Sequence, residues 1–288
     1  MNKKLKKIYL LPNVITAFAV SCGLFVIFKM NMTGVGEATP KILMATAGIL
    51  LLAAFADFMD GAIARAIKAE SEFGGIFDSL QDAISFGVAP SVVILKSLSI
   101  LPGTNLSFLS TIAAIIYSVC GVLRLVRFSV SALDAKNNED LALANKKNFT
   151  GLPIPAAASA AISMNLFLFT SDIEWVSNLS ITYKTWILSL TLMMLGYCMI
   201  SRWKFPSVKN LHMRVGSFRA VLAIVVIAVM LFYGILHQFA LAYLALSWGY
   251  IILAWILGII RVIAGKKSKT LEDFEPEPDE FSEDSEDI

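Results

Sequence analysis

Apolar runs long enough to cross the ~30 Å hydrocarbon core of a bilayer recur eight times in this 288-residue chain, at 13–30, 42–64, 76–99, 107–130, 153–170, 184–201, 217–236 and 240–261. In hydrocarbon, every backbone N–H and C=O must find its partner within the protein, and a single run of this length does so as a helix. The expected fold is therefore an all-α integral membrane protein, a polytopic bundle of about eight transmembrane helices. Composition agrees, since only 16% of residues are charged and mean hydropathy is +0.72, against about 25% charged in soluble domains. The net charge of +2 gives no reason to expect a nucleic-acid partner.

Lysine and arginine positions orient the bundle. With the N-terminus inside, 20 of the 24 basic residues fall on the inner side, and only Lys29, Lys41, Lys96 and Lys184 fall outside. Both termini are then cytoplasmic, which places the protein in the cell (inner) membrane of its source. Residues 1–12, rich in lysine, read as an interfacial amphipathic segment, and 13–265 as one membrane domain. The acidic stretch 266–288 reads as a disordered tail. The start superficially resembles a signal peptide, but no small-residue cleavage site follows, so the first run reads as a retained span. Cys22, Cys120 and Cys198 all lie within apolar runs and read as small buried hydrophobes.

The chemistry concentrates where the second run meets the third. Asp57, Asp60, Gly61, Ala64 and Arg65 share one helical face by their spacing. Gly74, Asp78, Asp82, Ser85 and Ala89 form a stripe on the next helix, so two antiparallel helices can place four carboxylates in one cleft. Each charge at the bilayer centre costs about 2.5–3.5 kcal/mol. Arg65 cannot balance four of them. Hard oxygen ligands suit Mg²⁺ or Mn²⁺, and two such ions would neutralise the site and clamp a diphosphate. Gly61, Ala64 and Gly74 fit two readings: room for a ligand against the backbone, or ordinary small-residue helix packing.

These residues closely resemble the signature of the CDP-alcohol phosphotransferase family, D-x2-D-G-x2-A-R-x8-G-x3-D-x3-D, and every fixed position is met. The resemblance implies transfer of a phosphatidyl group from a CDP-linked lipid to an alcohol, with release of CMP. It also implies metal binding by Asp57, Asp60, Asp78 and Asp82, with Asp82 as general base on the attacking hydroxyl. Gly61, Ala64, Arg65 and Gly74 would hold the CDP part. Leu11-Pro-Asn13-Val-Ile-Thr16 is similar to the family's opening of the first span, which adds Asn13 and Thr16 to that set.

Three stretches resemble the branch of the family that uses serine: Asp78 to Pro90, Arg124-Leu-Val-Arg127-Phe128, and Gly151-Leu152-Pro153-Ile-Pro155. The expected substrates are then CDP-diacylglycerol and L-serine, and the expected product is phosphatidylserine. Ser85, Arg124 and Arg127 are the candidates for contact with serine or phosphate, the arginines by bidentate pairing with an anion. Anchoring at the inner surface is the alternative for both arginines, and anion pairing is the favoured reading. Gln81 departs from the small residue expected before the fourth aspartate. The resemblance also implies a homodimer among membrane lipids. Two alternatives stand: the same chemistry on another alcohol, such as glycerol phosphate or inositol phosphate, or a divalent-metal transporter. Transport predicts polar residues along several spans, whereas here they cluster at the inner ends of spans two to four.

Overall fold

The computed structural model describes residues 3–67, 69, 71–137, 148–201, 203–206 and 237–264. Among them, five helices are long and apolar enough to cross a membrane: Leu11–Met32, Pro40–Ala66, Asn105–Val130, Ile181–Ile200 and Phe239–Ile260. The expected span 217–236, His212 and the acidic tail 266–288 lie outside the described residues, as does most of the loop after the fifth helix.

The first helix, α1 (Lys3–Met32), runs unbroken through Pro12, so no break separates the expected interfacial segment from the first span. Helix α2 (Pro40–Ala66) starts where Thr39 accepts from the Ile42 N–H at 3.4 Å and Pro40 takes the first turn, where a missing N–H costs nothing. Helix α3 (Glu72–Asp82) is capped by Ser71, whose hydroxyl accepts from the Gly74 N–H at 3.0 Å. A π-helical segment, Ala83–Val88, joins it to α4 (Ala89–Leu98). The expected span 76–99 is thus not one regular helix. In a π turn the hydrogen bond reaches five residues back, so a spacing of four no longer returns to one face. The stripe through 74, 78 and 82 therefore ends at Asp82, and Ser85 and Ala89 are fully buried.

Ser99, at φ 50°, ends α4, and its hydroxyl accepts from the Gly36 N–H at 2.9 Å. The Lys96 ammonium donates to the Asn31 carbonyl at 3.4 Å. These contacts tie the ends of α1 and α4 together, at the pole away from the aspartates. Helix α5 (Asn105–Asn137) follows, then α6 (Ile154–Thr170), the short α7 (Glu174–Ser177), α8 (Ile181–Ile200) and α9 (Phe239–Ala264). Helix α6, at 17 residues, falls short of the other spans.

One correction to an all-helical fold is small. Strand β1 (Asn148–Thr150) pairs antiparallel with β2 (Lys204–Pro206), Phe149 opposite Phe205. Gly151 follows at φ 78°, donating to the Trp203 carbonyl at 2.9 Å. A Cβ there would run into the Met199 carbonyl oxygen, so glycine alone lets the ribbon sit on the end of α8.

The most extensive packing is α5 on α8 and α1 on α2. Helix α6 is lined with buried Ala157, Ala158, Ala160 and Ala161, and such small residues let helix backbones approach closely without a hydrophobic driving force. Hydroxyl pairs clasp it to α9: Ser159 with Tyr243 at 2.9 Å and Ser163 with Ser247 at 2.7 Å. Large apolar side chains face outward along α1 and α5, among them Phe18, Phe25, Val119 and Val126. An outward apolar belt is what a lipid environment demands.

Candidate active site

The site forms where α2 ends and α3 begins, against the first half of α1. Asp57, Asp60 and Asp78 each direct a carboxylate oxygen into one locus, all within 4.8 Å of one another. Asp82, one turn beyond Asp78, completes the group: the Asp57 carboxyl lies beside those of both Asp78 and Asp82. Asp57 Oδ1 and Asp82 Oδ1 are buried and accept no hydrogen bond, a costly state for a carboxylate oxygen. Arginine charge reaches the cluster from two sides, Arg65 beside Asp60 and Asp78, and Arg124 beside Asp82. Four carboxylates against two arginines leave negative charge unbalanced. A compact set of hard oxygens with unused lone pairs fits a divalent cation.

Helix α1 supplies the back wall. Thr16, buried, donates its hydroxyl to the Asp60 carboxylate and fixes its direction. Asn13 Oδ1 lies 3.3 Å from where a Cβ on Gly74 would stand. The Arg65 guanidinium lies over Gly61 in the same way, Nη1 at 3.3 Å. These two glycines therefore make room for polar groups of the site itself. Ala64, half-buried, sits between Gly61 and Arg65 on the face that carries Asp57 and Asp60.

The outlying candidates separate. Ser85 turns its hydroxyl to the Ala19 carbonyl at 3.3 Å and packs on Gly23, which places it in the α1 contact. Arg127 donates to the Ile200 carbonyl at 3.1 Å, at the C-terminal end of α8, where the helix dipole favours a cation. Its Nη2 is buried without a partner, as is Arg124 Nε. Arg124 alone of the three interacts with an aspartate of the cluster.

Two further residues stand outside the candidates named from the sequence. Tyr250 of α9 interacts with Arg124, from a part of the chain with no motif. Gln81, where the sequence departs from the small residue expected before Asp82, is fully buried with both ends of its amide unpartnered.

The sequence profile of the family described as CDP-alcohol phosphatidyltransferase matches residues 9–198, which takes in every aspartate of the cluster and both arginines of α5. The chain belongs to this family. As a CDP-alcohol phosphatidyltransferase it is a transferase of phospholipid synthesis, and its apolar helices suit a multi-pass membrane enzyme. Its relatives include a protein of Bacillus subtilis (strain 168), 30% identical over 69% of this chain and 92% of its own length. Another, from Helicobacter pylori (strain 26695), is 27% identical over 90% of this chain and 96% of its own. A third, from Methanocaldococcus jannaschii, is 31% identical over 59% of this chain and 67% of its own. All three are named CDP-diacylglycerol–serine O-phosphatidyltransferase.

Proposed function

We propose that the enzyme transfers the phosphatidyl group of CDP-diacylglycerol to the hydroxyl of L-serine, giving phosphatidylserine and CMP. The observation that carries this reading is the convergence of Asp57, Asp60 and Asp78 with Asp82, the last of these facing Arg124. The names of the relatives supply the acceptor.

Asp57, Asp60, Asp78 and Asp82 would hold divalent ions, Mg²⁺ or Mn²⁺ and two of them in this reading. When bound, such ions neutralise diphosphate charge and favour departure of CMP. The chain's own groups do the rest. Gly61, Ala64, Arg65 and Gly74, with Asn13 and Thr16, form the wall that receives the CDP part. Asp82 accepts the proton of the serine hydroxyl as its oxygen bonds to the phosphorus bearing diacylglycerol. The bond from that phosphorus to the CMP oxygen breaks, and the electron pair leaves with CMP. Arg124 stands beside this carboxylate and is the group to meet the serine carboxylate or a substrate phosphate. Arg127 ties the same turn of α5 to the end of α8. Ser85 contributes by seating α1 against the segment after Asp82.

In the same reading the chain crosses the membrane about eight times within a domain spanning 13–265, with both termini and the active site on the cytoplasmic side of the inner membrane. Residues 1–12 lie at the interface, the tail 266–288 stays outside the bundle, and the enzyme works as a homodimer. The positive-inside distribution supports the orientation; family resemblance supports the dimer.

The test is the lipid product. Protein in detergent with CDP-diacylglycerol and Mn²⁺ is offered serine, glycerol 3-phosphate or inositol phosphate, and lipids are read by mass spectrometry. Phosphatidylserine from serine alone is the expected outcome. A product with another alcohol would keep the chemistry and overturn the acceptor. Metal binding with no lipid product from any alcohol would return attention to metal transport.

A further inference from the structure

The π segment Ala83–Val88 begins on the residue after Asp82 and is gripped from α5. Pro90 has no N–H, so the Phe86 carbonyl four residues earlier lacks the donor an α-helix would give it. The buried Tyr117 hydroxyl fills that place, donating to Phe86 O at 2.9 Å. Beside it, Ser118 donates to Gly87 O, also at 2.9 Å. Single π turns interrupt a helix at a cost and are frequent at functional sites, where they re-aim side chains. Arg124 follows Tyr117 by seven residues, two turns along the same face of α5, and is the residue that interacts with Asp82. One hydroxyl therefore holds the backbone next to Asp82 and the register of the helix that brings Arg124 to it.

We propose that Tyr117 is a positioning residue for the transfer reaction, its hydroxyl locking the π segment so that Asp82 and Arg124 face each other. The proposal rests on the phosphatidyl-transfer reading above. Tyr117→Phe removes one oxygen that belongs to no substrate contact. In detergent-purified protein the substitution should lower kcat at least tenfold while KM for CDP-diacylglycerol stays within about twofold, the pattern of an interaction realised in the transition state. Mn²⁺ affinity, titrated by electron paramagnetic resonance, should weaken severalfold as Asp82 loses its aim. Unchanged kcat and unchanged Mn²⁺ affinity would overturn the proposal.

Adding Pro90→Ala to Tyr117→Phe offers the Phe86 carbonyl an N–H in α register. Thermal stability should return while kcat stays low. Recovery of both would show that the hydroxyl only satisfies a buried carbonyl, and would sink the proposal. If Tyr117→Phe does not survive purification, Ser118→Ala loosens the same segment through Gly87 and is judged by the same kcat and Mn²⁺ outcomes. Wild-type protein is assayed in parallel. Absence of serine-dependent CMP release from it would defeat the reaction assignment, and the Mn²⁺ comparison would still judge Tyr117.

Discussion

Asp82 is asked to take a proton, so its loss should act on rate more than on binding. Asp82→Asn keeps the shape but cannot accept that proton, and kcat should fall by about 10²–10⁴-fold. Asp57 lies beside both Asp78 and Asp82. Asp57→Asn should weaken Mn²⁺ binding by at least about 10-fold in an equilibrium titration, since losing a partner of a ligand already costs about that much. Gln81 is a case of its own. A buried amide with neither end paired costs about 1–3 kcal/mol, so Gln81→Met, which keeps the length, should raise the melting midpoint in detergent. A lowered midpoint would mean that the amide is paired in the membrane-bound enzyme. The aspartates were legible in the sequence because chemistry fixes their type and spacing. The burial of Gln81 was not: it depends on what packs against α3, α1 included, a tertiary fact that periodicity does not carry. Tyr250 reaches Arg124 from more than a hundred residues away, and no local pattern announces such a contact.

At the level of elements, Gly151 makes the sharpest claim. Its positive φ and the Met199 carbonyl against it leave no room for a side chain. Gly151→Ala should cost about 1–3 kcal/mol in backbone strain alone and more through the clash, visible as a loss of monodisperse protein on fluorescence-detected size exclusion. An unaffected profile would mean that the β1–β2 ribbon is dispensable. The stretch around Gly151 could be recognised in the sequence as a motif, yet its purpose could not, since β2 lies some fifty residues away. The π segment was invisible for a related reason. Gly87 and Pro90 hint at a disturbance of the helix, but whether the chain kinks, breaks or adds a residue depends on donors such as Tyr117 and Ser118 in another helix.

For the whole molecule, run length was the strongest signal, because backbone satisfaction in hydrocarbon admits few solutions. Five of the eight expected spans correspond to helices long and apolar enough to cross. The others differ for stated reasons: a π interruption in one, a 17-residue length in another, and a third outside the described residues. Orientation is a claim about the entire charge distribution. A protease-cleavable tag after Ile288 should resist external protease in spheroplasts and be cut in inverted vesicles; the reverse would invert the topology. The central claim, that one carboxylate cluster moves a phosphatidyl group to serine, is met most directly by serine-dependent CMP release from CDP-diacylglycerol, wild type beside Asp82→Asn, with Mn²⁺ present. Release by the wild type that is lost in the variant is the predicted result. Equal release by both proteins would contradict it.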